Sequence, residues 1–317
     1  MEPLSRLKIA VLDDYQAEAR NMADWRAVEA RADVVFFHDN VRAEDALVAR
    51  LESFDAVCVM RERTPLAEGI LRRLPRLRMI ASTAPRNASI DPIAGSLGIE
   101  VMHTGYFSTP TAELTLALLF ACARNIPLEH NNVQTGGWQT TIGADLNGAT
   151  LGILGLGNIG REIARVGLAV GMKVIAWSEN LNAEDATAQS VEAVSRDELF
   201  SRADFLSVHV QLSDRTRGLV GRRELELMKR GSRLVNTSRS AIVDMDALWD
   251  ALESGQLAAA AVDVYDDEPL PHGDRLRAAP GTLITTPHIG YVTRALLERF
   301  YGDTVTNLLT WLDGRAH

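Results

Sequence analysis

The stretch Leu151–Gly160, LGILGLGNIG, decides the fold. The apolar run from Ala149 to Ile153 reads as a buried strand. Gly155, Gly157 and Gly160 follow as G-x-G-x-x-G, and Arg161 to Gly171 reads as a helix. Strand, glycine turn and helix in this order are what a dinucleotide site requires. Gly155 permits the tight turn, and Gly157 lets the backbone approach a pyrophosphate. Gly160 lets the helix pack close to the sheet. The N–H groups at the helix start, around Asn158 and Ile159, are suited to phosphate oxygens.

The chain on either side repeats the same alternation. Upstream, apolar runs at Lys8–Leu12, Asp33–Phe37, Ala56–Met60, Arg78–Ala81 and Ile99–Met102 read as strands. Helical patterns lie between them at Ala17–Ala30, Ala43–Leu51, Leu66–Leu74 and Pro92–Leu97. One long apolar helix is expected over Pro110 to His130. Downstream, strands are expected at Lys173–Trp177, Phe205–Val210, Arg233–Asn236, Ala259–Val264 and Leu283–Thr286. Helices are expected at Arg196–Ala203, Arg222–Lys229, Met245–Glu253 and Thr293–Leu312. Alternating strands and helices predict parallel sheets covered on both faces. The expectation is an α/β protein of two doubly wound, Rossmann-like or flavodoxin-like domains with a cleft between them. Residues 105–286 would form the dinucleotide-binding domain. Residues 1–104 and 287–317 would form a discontinuous substrate domain, closed by the last helix.

Composition narrows the function class. The chain has 317 residues, enough for about two domains with sizeable cores. Its formal net charge of −9 argues against nucleic acid, which calls for a basic face. The start, MEPLSRLKIAVLDD, lacks the long apolar core of a signal peptide. The most apolar helix, Thr111 to Ile126, carries Glu113 and Arg124 and falls short of the ~20 residues that span a membrane. Cys58 and Cys122 sit in apolar runs and read as buried small hydrophobes. A cytoplasmic location with no membrane partner fits these features.

Three stretches beyond the glycine turn hold reactive groups at expected strand ends: Asn236-Thr237-Ser238-Arg239, Asp266-Asp267-Glu268-Pro269 and Pro287-His288-Ile289-Gly290. Ligands of open parallel sheets bind beyond the carboxyl ends of the strands. Reduction of a 2-oxo acid needs a cation for the carboxylate, an acid for the carbonyl oxygen, and a group that keeps that acid charged. Arg offers a planar fork, His titrates in the right range, and a neighbouring Glu favours its charged form. His38, His103, His130, His272 and His317 read as structural. No pair of them has metal-ligand spacing, so no metal is expected.

These motifs resemble those of the D-isomer-specific 2-hydroxyacid dehydrogenase family over nearly the whole chain. LGILGLGNIGREIA is similar to its cofactor signature. MKRGSRLVNTSRSAIVD is similar to its second signature, with Ser240 where glycine or proline is usual. DVYDDEPL and TPHIG are similar to the segments carrying its Glu and His. The resemblance implies NAD(P)H-dependent, reversible reduction of a 2-oxo acid, a glyoxylate or hydroxypyruvate reductase being one form. It implies that Arg239 binds the carboxylate, that His288 is the general acid/base and that Glu268 is its partner. Asp263 would contact the nicotinamide amide, and His209 and Thr237 would line the cofactor site. A homodimer formed near Thr111–Ile126 is implied as well. The alternative is a non-catalytic NAD(H)-sensing regulator of the same fold.

Two positions refine the expectation. The loop Thr83–Asp91 matches the family's substrate loop in position, but Pro85 has no N–H and Arg86 adds a cation. Arg86 and Asn87, with Arg61 at another strand end, are therefore candidate substrate contacts. Ser178 ends the strand where an acid commonly binds the ribose hydroxyls. Ser178 to Ser195 holds four acids and no Lys or Arg, so NAD is expected, with NADP as the alternative.

Overall fold

Short apolar runs separated by polar turns become the strands of two parallel sheets in the computed structural model, which describes residues 6–314. The first residues of the N-terminal stretch read above, and His317, lie outside the described residues. The chain divides into two compact units. One runs to Phe107 and resumes at Val292; the other is Ser108–Tyr291.

The first unit begins with β1 (Leu7–Val11). The helix expected over Ala17–Ala30 is instead one 3-10 turn, Ala19–Asn21, and a short helix, α1 (Arg26–Glu29). The Asp14 carboxylate takes the N–H groups of Glu18 and Ala19, and Trp25 Nε1 donates to the Ala19 carbonyl. Side chains thus satisfy groups that a helical ladder would otherwise use. There follow β2 (Ala32–Phe36), α2 (Glu44–Leu51), β3 (Ala56–Val59), α3 (Glu68–Leu71), β4 (Met79–Ser82), α4 (Ile93–Ser96) and β5 (Glu100–His103). The sheet order is β2-β1-β3-β4-β5, all parallel. Leu47, Leu51, Ile70 and Leu71 pack on Ala10, Val57 and Ile80. Each such fully buried side chain contributes on the order of 1.5–3 kcal/mol.

The second unit opens with α5 (Thr109–Arg124) and α6 (Ile126–Gln134), where one helix was expected. Asn125 turns left-handed at φ 51° between them. Pro127 has no N–H to continue the ladder, and the Ala123 carbonyl accepts Ala144 N–H instead at 2.7 Å. Next come β6 (Thr150–Leu154), α7 (Asn158–Ala169) and β7 (Lys173–Trp177). A short helix and a two-residue strand, α8 (Ala183–Thr187) and β8 (Glu192–Ala193), were not foreseen. They precede α9 (Arg196–Arg202), β9 (Phe205–Val208), α10 (Arg222–Leu227), β10 (Ser232–Asn236), α11 (Met245–Glu253), β11 (Leu257–Val262) and β12 (Leu283–Thr285). The order β12-β11-β10-β9-β6-β7-β8 reverses direction between β6 and β9. Leu118, Leu119 and Ile163 cover one face of this sheet, and Phe200, Leu225 and Leu248 belong to the core on the other.

The last helix, α12 (Arg294–Asp313), packs on β4 and β5 of the first unit. The unit boundaries fall a few residues beyond the expected 104 and 286. Gly105 N–H bonds Asp303 and Tyr106 stacks on Phe300, both on α12, so residues 105–107 stay with the first unit. At the other end, Thr286, Ile289 and Gly290 all hydrogen-bond Asp263, which keeps the His288 segment in the second. No described helix is long and apolar enough to cross a membrane.

Candidate active site

Gly155, just past β6, adopts φ +102°, a conformation that glycine reaches without strain. A Cβ there would come within 2.8 Å of the His209 backbone, so the ends of β6 and β9 approach closely at the point where the sheet order reverses. At Gly160 a Cβ would lie 2.3 Å from the Gly155 carbonyl, so only glycine lets α7 start there. At Gly157 a Cβ would meet nothing within 4 Å. Gly157 and Asn158 are exposed, Ile159 is half-buried, and the first-turn N–H groups of α7 have no intrahelical acceptor. Close packing on two sides and open space on the third fit a pyrophosphate.

The loops after the neighbouring strands carry the reactive groups. Thr237 is buried and shares a 2.7 Å hydrogen bond with Thr115 of α5. Arg239 is half-buried, and its Nη1 donates to the Ser238 carbonyl at 2.8 Å. His288 Nδ1 stands 2.5 Å from Glu268 Oε2, with about a quarter of each side chain exposed. Burial opposes the Glu268 charge. The hydrogen bond and charge of His288, the Tyr265 N–H and the Arg239 charge outweigh it and hold the carboxyl below its ordinary pKa. An ionised carboxylate only accepts, so Nδ1 carries the proton in this contact and Nε2 is the ring's second nitrogen. The structure thus brings Arg239, Glu268 and His288 into one electrostatic cluster from three separate strand ends.

Asp263, just past β11, is almost fully buried. Its Oδ1 accepts from Thr286 Oγ1 at 2.6 Å and from Ile289 N–H at 2.9 Å, and its Oδ2 accepts from Gly290 N–H at 2.8 Å. Burial pushes its pKa up against these bonds and against the His288 charge. The carboxylate thereby clamps the turn in which His288 sits at φ 51°. A left-handed non-glycine residue costs on the order of 1–3 kcal/mol and persists only where its surroundings enforce it. Tyr265 braces the same turn. Its N–H donates to Glu268 Oε1 at 3.0 Å, and its hydroxyl donates to the Thr286 carbonyl at 2.8 Å. His209, past β9, has Nε2 2.7 Å from Ser207 Oγ, and burial pushes its pKa down to about 3, so the ring is neutral. Ser178 is half-buried at the end of β7.

This geometry agrees with three comparisons. The family model described as D-isomer specific 2-hydroxyacid dehydrogenase, NAD binding domain, matches residues 116–290. A glyoxylate reductase of Aeropyrum pernix is 38% identical over 258 residues, 78% of this chain and 77% of that protein. A hydroxypyruvate reductase of Thermotoga maritima is 36% identical, covering 81% of this chain and 84% of that one. A phosphoglycerate oxidoreductase structure from Vibrio cholerae superposes with a TM-score of 0.91 at 35% identity, over 97% of this chain and 99% of that one. The chain belongs to the D-isomer specific 2-hydroxyacid dehydrogenase family. It is an NAD-dependent oxidoreductase that interconverts a 2-oxo acid and a D-2-hydroxy acid.

The remaining candidates lie on the first unit of the dehydrogenase. Arg61, past β3, is left-handed at φ 56° and stacks over Tyr106, 5.3 Å from the ring centre. Asn87 does not present its amide outward. Nδ2 donates to the Arg61 carbonyl at 2.5 Å and to Ser82 Oγ at 3.0 Å, and Oδ1 accepts from the N–H and hydroxyl of Ser89. Both donors and the acceptor serve the loop, which makes Asn87 a positioning residue for it. Arg86 is exposed. Cys58 and Cys122 are buried, free thiols, each pushed up to about 12 by burial. Among the described residues, no group of three or more His, Cys, Asp or Glu is arranged to hold a metal ion. The sequence reading missed Tyr265 and Asn236 as parts of the site. Their signal was weak: a polar or aromatic residue beside a reactive one at the end of a buried strand.

Proposed function

We propose that this dehydrogenase is of the glyoxylate and hydroxypyruvate reductase type, with Arg239, Glu268 and His288 as its working residues. The observation that carries the working residues is the 2.5 Å contact between His288 Nδ1 and an ionised Glu268, with the Arg239 charge acting on the same carboxylate. The substrate type is supported by the similarity to a glyoxylate reductase and a hydroxypyruvate reductase. The residues suit the cofactor: a glycine turn open at Gly157, and N–H groups of Asn158, Ile159 and Gly160 for the phosphates. When bound, NADH supplies the hydride that reaches the carbonyl carbon. Arg239 holds the substrate carboxylate with two parallel N–H groups and orients the carbonyl. His288 Nε2 gives its proton to the carbonyl oxygen as that atom gains charge, and the C–OH bond is completed. Glu268 stays ionised and stabilises the imidazolium from the other side.

Asp263 is assigned the nicotinamide amide, and His209 and Thr237 the walls beside it. Ser178 is assigned the adenosine ribose, with NAD preferred because Ser178–Ser195 lacks a cation for a 2′-phosphate. Arg61 and Arg86 are assigned to the acid's remaining polar groups. We assign the protein to the cytoplasm as a homodimer. Ile126, Val133, Trp138 and Ile142 are exposed on α6 and the arm after it. Glu129 pins that arm through the N–H and hydroxyl groups of Thr140 and Thr141. A second copy covering this face would remove these side chains from water, and sedimentation at micromolar concentration tests it.

The experiment for the function is turnover on glyoxylate, hydroxypyruvate, pyruvate and oxaloacetate, each with NADH and with NADPH. The reading expects the highest kcat/KM for glyoxylate or hydroxypyruvate with NADH. A clear preference for oxaloacetate would overturn the substrate class, and a clear preference for NADPH would overturn the ribose assignment.

A further inference from the structure

Asn236 is the last residue of β10, lies between β9 and β11 in the sheet, and exposes no surface. A primary amide fully removed from water costs a few kcal/mol unless its donors and acceptor are used. Here one donor and the acceptor are spent on one turn. Oδ1 accepts the Ser238 N–H at 3.0 Å, and Nδ2 donates to the Arg239 carbonyl at 3.0 Å. One planar side chain thus spans the turn from Asn236 to Arg239 and fixes the peptide group before Ser238 and the one after Arg239. The Ser238 hydroxyl ties the same turn to the segment just after β9 through the Val210 carbonyl, at 2.6 Å. The Asn236 carbonyl accepts Asp263 N–H at 3.0 Å, which sets the height of this turn against the next strand end.

We infer that Asn236 is the positioning residue for Arg239. An arginine side chain has many rotamers, and the direction in which it leaves the backbone is set by the peptides on either side. Two-pronged recognition of a carboxylate tolerates little error in that direction. Asn236 fixes it, and only an amide does so at this size: aspartate has the acceptor but no donor for the Arg239 carbonyl, and serine cannot span the turn. The inference rests on the reading that Arg239 holds the substrate carboxylate.

The test compares Asn236→Ala, Asn236→Asp and Arg239→Lys, singly and as the double variant Asn236→Ala/Arg239→Lys. It measures KM for the oxo acid, inhibition by oxamate, NADH affinity by fluorescence titration, and Tm. Both Asn236 variants are expected to raise KM for the oxo acid and the oxamate inhibition constant by about tenfold, the scale of a lost buried hydrogen bond. NADH affinity should stay within about twofold. The double variant should be no weaker on oxamate than Arg239→Lys alone, because a residue that acts through Arg239 has little left to act on. The inference is overturned if Arg239→Lys weakens oxamate while Asn236→Ala does not. It is also overturned if the two losses add in full, or if NADH affinity falls as much as oxamate affinity. If Arg239→Lys itself leaves oxamate unchanged, the carboxylate reading fails instead. Should Asn236→Ala not fold, Asn236→Asp, which keeps the shape, decides by the same oxamate and NADH readings.

Discussion

Two asparagines, Asn236 at the end of β10 and Asn87 in the loop after β4, make the same local turn and serve different ends. Each accepts the N–H of the residue two further on, Ser238 or Ser89. Asn236 spends its amide nitrogen on the carbonyl of Arg239 itself, whereas Asn87 spends it on Arg61 and Ser82, across the loop. The bracket around Arg239 therefore includes the arginine. Arg86 stands before its bracket, after Pro85, and is exposed. A turn motif alone does not mark a functional arginine. What marks it is whether the clamp closes on that residue, and whether its charge acts on other reactive groups, as Arg239 acts on Glu268.

Substitutions in the two regions should therefore differ in size. The largest effect is expected at His288, the proposed proton donor. His288→Asn should lower kcat by roughly 10²–10⁴-fold, the scale of a lost general acid, with NADH affinity unchanged. Near-normal turnover would remove His288 from proton transfer. Arg239→Lys keeps the charge and loses the fork. KM for the oxo acid should rise and kcat should fall, together costing on the order of a hundredfold in kcat/KM. Unchanged kinetics would hand the carboxylate to another base. The smallest effect is expected at Arg86. Arg86→Ala should weaken oxaloacetate by about threefold to tenfold and leave glyoxylate nearly untouched, since an exposed charge contributes about 1 kcal/mol or less. Equal loss on both acids would mean that Arg86 does not read the second anionic group.

The sequence carried the strands of both sheets except β8 to within two residues, because fully buried parallel strands are short apolar runs with polar ends. It also placed Arg239, Glu268 and His288 past the ends of such runs, where the structure has them. It did not carry the break at Asn125, where a left-handed residue and Pro127 interrupt an otherwise unbroken apolar pattern. Nor did it carry the replacement of a helix over Ala17–Ala30, which depends on Asp14 capturing two N–H groups. The clamps of Asn236, Asp263 and Tyr265 were hidden for a related reason. Asp263 and the Tyr265 hydroxyl act on groups more than twenty residues away, whose nearness the sheet order creates, whereas the Asn236 clamp closes within three residues and its residue types alone do not single it out.

If Glu268 stabilises the imidazolium that reduction needs, the pH dependence of kcat/KM must differ between native protein and Glu268→Gln. The hydrogen bond and charge of His288 are among the interactions that hold the Glu268 carboxyl below its ordinary pKa, and glutamine keeps the shape without the charge. Reduction needs the imidazolium, so its alkaline limb should move to lower pH in Glu268→Gln. Oxidation needs the neutral ring, so its acidic limb should also move to lower pH. Limbs that stay in place in both directions, with a deuteride isotope effect showing that hydride transfer limits the rate, would contradict the account.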